Sequence, residues 1–142
     1  MYRLRSAKKE DIELLIKYKL STIYAYADEI DEEEKNRINE YVNNSVLQLL
    51  DKYKVIVLDE KIVGCLLVTE YEDGVMIDEV YLEEKYRNLG IGSSLLRGII
   101  SKHDVVYLWV YKKNRGAIQL YHKLGFKVAL ETETRYFMEV RK

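Results

Sequence analysis

The sequence predicts a mixed α+β domain, a central and mostly antiparallel sheet of about seven strands flanked by about four helices. Three observations carry that prediction. Apolar residues recur at three- and four-residue steps in the first third of the chain and then give way to β-branched runs. Three of these runs follow one another across short turns, which implies antiparallel neighbours. A run, a helical stretch and a further run come next, which implies a parallel crossover.

Residues Tyr2 to Arg5 form a short alternating segment, the first strand. Ser6 is the expected cap of a helix whose apolar face is Ile12, Leu15, Ile16, Leu20 and Ile23. Asp28–Glu34 reads DEIDEEE, with Asp31 and Glu34 at the spacing of a capping box. The second helix follows, its stripe formed by Ile38, Tyr41, Val42, Val46, Leu49 and Leu50. Lys54–Leu58 and Ile62–Thr69 read as a hairpin around Asp59-Glu60-Lys61, and Glu72-Asp73-Gly74 as a turn into the strand Val75–Leu82. Leu89–His103 is helical, with Leu95, Leu96, Ile99 and Ile100 inward. Val105–Val110 is a buried strand, and Asn114–Leu124 a helix stopped by Gly125. Phe126–Leu130 and Arg135–Val140 close the sheet. No repeat or boundary interrupts residues 1–142, so one domain is expected.

Composition narrows the function. Lys plus Arg is 23 and Asp plus Glu is 24, so the basic excess of a nucleic-acid binder is missing. The single cysteine, Cys65, forbids an intrachain disulfide. With only His103 and His122 besides, no clustered zinc ligand set exists, and no metal is expected. The opening residues show no apolar signal-peptide core. No run reaches the roughly 20 apolar residues of a membrane span. The expectation is a cytoplasmic protein with neither membrane nor nucleic-acid partner.

The most informative stretch is Val80–Leu96, where a strand runs through Arg87-Asn88-Leu89-Gly90-Ile91-Gly92 into a helix. Glycine permits a sharp turn and close ligand approach. A helix's opening turn offers N–H groups without internal partners, a natural phosphate site. A Walker loop is absent. The dinucleotide fingerprint fails at Leu95 and lacks its acidic residue after the following strand.

What remains resembles the acyl-CoA-binding motif of the GNAT superfamily of N-acetyltransferases. Tyr86-Arg87-Asn88-Leu89-Gly90-Ile91-Gly92 is similar to the family's YRGKGIG signature, with Asn88 and Leu89 in place of Gly and Lys. The stretch Asn114 to Phe126 resembles its second motif, N-x-x-A-x-x-x-Y-x-x-x-G-F, through Asn114, Ala117, Tyr121, Gly125 and Phe126. The element order also matches, so the resemblance covers nearly the whole chain.

The resemblance implies an N-acetyltransferase that moves an acetyl group from acetyl-CoA to a primary amine by direct attack in a ternary complex. It places Arg87, Asn88, Leu89, Gly90, Ile91, Gly92 and Ser93 around the pyrophosphate, mainly through backbone N–H groups. Arg87 has a salt bridge as its alternative role. Val80, Tyr81 and Leu82 line the pantetheine arm, with the Leu82 N–H polarising the thioester carbonyl. Asn114 and Ala117 contact the cofactor, although Asn114 also suits a helix cap. Tyr121 hydrogen-bonds or protonates the leaving thiolate, against the alternative of a packed tyrosine. Asp78 and Glu79 are both candidate bases. They face opposite ways on a strand, and Glu79 is favoured. Some protein N-terminal acetyltransferases of the family carry Glu on the fifth strand, where Trp109 stands here.

The acidic Asp28–Glu34 segment would suit a cationic acceptor such as a polyamine, an aminoglycoside or a basic peptide, but helix capping and solubility account for it better. Lys112, Lys113 and Arg115 are optional phosphate contacts. A homodimer is an open expectation. Two rival readings stand beside the enzyme: a non-catalytic acyl-CoA-binding regulatory module, and an interaction domain without cofactor.

Overall fold

The computed structural model describes residues 1–142. Seven strands and four helices follow the expected order: β1 (Tyr2–Ser6), α1 (Ile12–Tyr26), α2 (Glu32–Leu49), β2 (Tyr53–Leu58), β3 (Lys61–Tyr71), β4 (Gly74–Leu82), α3 (Ile91–Lys102), β5 (Val105–Tyr111), α4 (Arg115–Lys123), β6 (Lys127–Glu131) and β7 (Arg135–Arg141). They form one sheet in the order β1-β2-β3-β4-β5-β7-β6. The crossover through α3 makes β4 and β5 parallel, paired from Val75↔Val106 to Ile77↔Leu108. β4 runs on beyond that pairing to Leu82. β7 lies between β5 and β6, antiparallel to both. No helix is long and apolar enough to cross a membrane.

The chain forms two compact units, Met1–Leu67 with Glu79–Tyr81, and Val68–Asp78 with Leu82–Lys142. In the first, Leu15 and Tyr18 of α1 and Val42 and Val46 of α2 pack on Tyr53, Val55 and Val57 of β2 and on Cys65 and Leu67 of β3. Each such apolar side chain, taken out of water, contributes roughly 1.5–3 kcal/mol. The β2–β3 turn places Asp59 and Glu60 at φ 49° and 66°. That two-residue left-handed pair matches the strand twist.

Two local expectations are corrected. Ser6 does not cap α1: it is the last residue of β1, and its hydroxyl accepts from Lys54 Nζ at 3.0 Å. A 3-10 turn, Lys9–Asp11, comes first, and the Asp11 carboxylate accepts the Lys8 N–H at 2.8 Å. Tyr41 is not on the buried stripe of α2 but is 62% exposed, while Ser45 is buried in its place. Tyr41 sits about 100° around the helix from Val42, and its ring lies under the Lys19 ammonium at 5.9 Å.

Asp11 is a buried carboxylate, paired with Arg5 Nη1 at 3.1 Å. Burial pushes its pKa up, but the Arg5 and Lys8 hydrogen bonds outweigh that and hold it below its ordinary 3.8. A depressed carboxyl contributes stability that is full above its unfolded value and lost as pH falls through its folded one. Asp11→Ala is therefore expected to lose roughly 2 kcal/mol near neutral pH. The gap from wild type should shrink as pH falls below about 4. Urea denaturation at pH 7 and pH 3 checks this, and a pH-independent gap would contradict it.

In the second unit, Met76, Val105, Tyr107 and Phe137 form a buried cluster. Tyr107 stacks on Phe137 with centroids 5.5 Å apart. The Tyr107 hydroxyl donates to Asp73, whose carboxylate also takes Arg141 Nη1 at 2.9 Å. This polar network ties the β3–β4 turn to β5 and β7.

Candidate active site

The second unit contains the turn that the sequence singles out. After a 3-10 turn at Glu84–Tyr86, Arg87 folds back, and its Nε donates to the Leu82 carbonyl at the end of β4 at 2.7 Å. Asn88 adopts φ 61° and Gly90 φ 87°. Both lie in the left-handed region, where Asn is the best tolerated residue after Gly. Asn88 thus serves a backbone position that suits glycine. Leu89 is 65% exposed.

Gly90 is the N-cap of α3 and, as glycine, brings no capping side chain. Its first backbone bond runs from Ser94 N to Gly90 O at 3.0 Å. The N–H groups of Ile91, Gly92 and Ser93 precede that bond and have no helical partner. No acidic residue stands in the first turn. The contrast with α2 is sharp: there Asp31 accepts the Glu34 N–H at 2.8 Å, and three glutamates follow. A Cβ at Gly92 would meet Leu82 Cδ1 at 3.8 Å and Leu120 Cδ2 at 4.0 Å, ordinary contact. Internal packing does not demand glycine there. What glycine provides is close access to the helix end, where the macrodipole is positive and an anion is favoured.

Helix α4 is built differently. Asn114 Oδ1 accepts the Ala117 N–H at 3.3 Å, so Asn114 does act as the N-cap. At the other end Gly125 adopts φ 100°, and its N–H reaches the His122 carbonyl at 3.0 Å. Tyr121 points inward and packs on Phe126, ring centroids 5.7 Å apart. Burial pushes its phenol pKa up to about 12. No buried side-chain oxygen or nitrogen is left without a partner. The Tyr121 hydroxyl, which makes no hydrogen bond of its own, therefore meets the surface.

The first unit contains Glu79. Its side chain is 8% exposed. Oε1 accepts from the Tyr53 hydroxyl at 2.7 Å and Oε2 from Cys65 Sγ at 3.4 Å. Lys19 Nζ stands 4.0 Å from Oε1. Burial, and then the Glu79 carboxylate beside it, push the Cys65 thiol well above its ordinary pKa. The thiol thus remains protonated and a donor. The strand alternation separates Asp78 from this group. Asp78 is exposed and accepts from Thr69 Oγ1 at 2.5 Å. In the same unit Tyr81 stacks on Tyr18 with centroids 4.6 Å apart, so its side chain belongs to the core. Val80, between them on β4, is half-buried.

Other singled-out residues have local roles. His122 is exposed, with Nδ1 3.2 Å from the Phe126 carbonyl. His103 ends α3. Lys112 is paired with Glu131 at 2.6 Å. Trp109 is 39% exposed and carries the Arg135 guanidinium 5.1 Å from its ring centre. No group of three or more His, Cys, Asp or Glu side chains is placed to hold a metal ion. Nothing in the sequence marks Tyr53 or Lys19, and Cys65 stands out there only as the single cysteine. They come from α1, β2 and β3, and no spacing signal links them to Glu79.

The acetyltransferase (GNAT) family model matches residues 15–126. The chain is 29% identical over 72 residues to a spermine/spermidine N(1)-acetyltransferase of Bacillus subtilis, covering 43% of this chain and 47% of that protein. It is 34% identical over 61 residues to N-alpha-acetyltransferase 50 of Danio rerio, covering 39% and 36%. In each of these relatives the chain spans less than half of the relative's length. Among solved structures, the PaiA N-acetyltransferase of Thermoplasma acidophilum in complex with coenzyme A superposes with a TM-score of 0.81 at 22% identity, covering 100% of this chain and 99% of that one.

Proposed function

Because the chain belongs to the acetyltransferase (GNAT) family, we propose that it transfers an acetyl group from acetyl-CoA to a primary amine of a small molecule or peptide, by direct attack in a ternary complex. The observation that carries this reading is the opening turn of α3, left without a cap or an acid behind Gly90. Acetyl-CoA supplies a pyrophosphate and an activated thioester carbonyl. The N–H groups of Ile91, Gly92 and Ser93 bind the pyrophosphate, Asn88, Leu89 and Gly90 shape the turn, and Arg87 adds positive charge. The backbone of Val80, Tyr81 and Leu82 aligns the pantetheine arm, and the Leu82 N–H polarises the carbonyl. Asn114 and Ala117 border the arm from the start of α4. Glu79 takes the proton that the attacking ammonium must lose. Tyr121 donates to the departing sulfur.

For the acceptor, the acidic Asp28–Glu34 segment favours cationic amines, and the Bacillus relative is named for spermine and spermidine. Part of that acidity has structural uses: Asp31 caps α2, and Glu32 and Glu33 pair with Lys35 and Arg37. A panel of polyamines, aminoglycosides and basic peptides therefore separates steering from capping.

One observation favours the second reading, a non-catalytic acyl-CoA-binding module: both Glu79 oxygens already accept hydrogen bonds. A carboxylate has about four lone-pair sites, so these two donors do not by themselves exhaust it. The deciding experiment has two readouts. At a hundred times its dissociation constant, acetyl-CoA is expected to stabilise the protein by about 2.7 kcal/mol, on the order of 10 °C in Tm. NADH and ATP serve as controls and should give less. Thiol release from acetyl-CoA is then followed across the amine panel. A shift with release supports the enzyme, a shift without release supports the module, and no shift with a folded sample removes both.

A further inference from the structure

Resting on the reading of Glu79 as the base, we infer that Tyr53 is a positioning residue for it, assisted by Lys19. Together they hold the Glu79 carboxylate in one orientation and in its charged form for proton abstraction. The Glu79 side chain is almost out of water, and a buried carboxylate remains charged only where donors and cations surround it. The structure supplies these from three elements. Tyr53, fully buried at the start of β2, donates at 2.7 Å to Oε1. Lys19 of α1 stands 4.0 Å from the same oxygen. Cys65 of β3 donates to the other oxygen.

Tyr53 is itself rigid. Its carbonyl accepts the Ala7 N–H at 3.0 Å, and its residue pairs with Leu67 across the sheet. A tyrosine whose only task was to fill the core would not need its hydroxyl. Here the hydroxyl makes a hydrogen bond to an ionisable group, the kind that favours the charged form.

The test uses Tyr53→Phe, Lys19→Met and Glu79→Gln, assayed by thiol release with the amine of the panel that the wild type acetylates best. Tyr53→Phe should lower kcat about tenfold and leave the KM for acetyl-CoA unchanged. It should also move the acidic limb of the pH–rate profile upward by about one pH unit. Lys19→Met should move the limb the same way. Thermal melts establish that both variants fold. A Tyr53→Phe protein that loses Tm but keeps the wild-type pH profile has lost only packing, and the proposal fails. Glu79→Gln distinguishes the parent reading: if it retains wild-type turnover, Glu79 is not the base and both ideas fall. If Glu79→Gln is inactive and neither Tyr53→Phe nor Lys19→Met moves the limb, the positioning proposal alone is overturned. Wild-type protein that releases no thiol with any amine overturns both.

Discussion

Tyr121→Phe is expected to lower turnover about a hundredfold while leaving acetyl-CoA affinity within about twofold of wild type. The reason lies in the phenol's environment. With its pKa pushed up to about 12, Tyr121 remains protonated across the neutral range. A departing thiolate has a pKa of roughly 8.5. Moving the phenol proton onto it is uphill by more than three orders of magnitude. In the proposed reaction Tyr121 therefore acts by hydrogen-bonding the thiolate, and water supplies the proton afterwards. On the proposed mechanism the substitution removes an interaction made mainly as charge develops on sulfur, so kcat should fall and ground-state binding should not. Isothermal titration with acetyl-CoA, set beside steady-state kinetics, checks the split. Equal turnover in the two proteins would remove Tyr121 from the reaction.

Gly74→Ala is expected to destabilise the protein by about 3 kcal/mol or more, with a drop in Tm on the order of 10 °C. Gly74 opens β4 beside β5, where a Cβ would stand 2.0 Å from the Val105 carbonyl oxygen and 2.7 Å from its carbon. Backbone cannot yield as a flexible side chain does. The strain falls where the parallel pairing begins, at Val75↔Val106. Gly98→Ala is the matched control. Gly98 lies within α3, and a Cβ there meets nothing within 4 Å. Replacing a helix-interior glycine by alanine contributes up to about 1 kcal/mol of stability. The same substitution in one chain should thus move Tm in opposite directions. A drop at Gly98 or indifference at Gly74 in thermal melts would refute this packing account.

Much of the fold was legible because local periodicity encodes it. The switch from helical spacing to β-branched runs marks the elements, and the run–helix–run order implies the parallel crossover that α3 makes. Alternation along β4 is enough to separate Glu79 from Asp78. The turn at Asn88–Gly90 was legible because only a few residue types adopt a left-handed backbone. The remainder depends on tertiary contacts. Nothing local shows that β7 lies between β5 and β6, since strand order is settled by which faces bury together. Asp11 gave no sign that it would be buried, because its partner Arg5 sits across a turn. Composition alone gives no reason for the chain's 13 tyrosines. Individual uses emerge only in three dimensions, in the core for Tyr18, in a polar network for Tyr107 and against Glu79 for Tyr53.

The bare end of α3 has a consequence for how far this protein can be stabilised. A serine, aspartate or asparagine at an N-cap is worth about 1 kcal/mol to a helix, and an acid in the first turn adds a few tenths more. The chain takes that gain at α2 and at α4 and forgoes it at α3. A capping side chain at Gly90 would have to adopt φ 87°, and an acid at Ser93 would compete for the same N–H groups that an anion needs. Consensus-style or charge-optimising redesign would mark this helix end as a defect to repair. If this helix end holds the cofactor as proposed, the route to higher thermostability and the route to lower ligand affinity are the same substitution, an acid at Ser93.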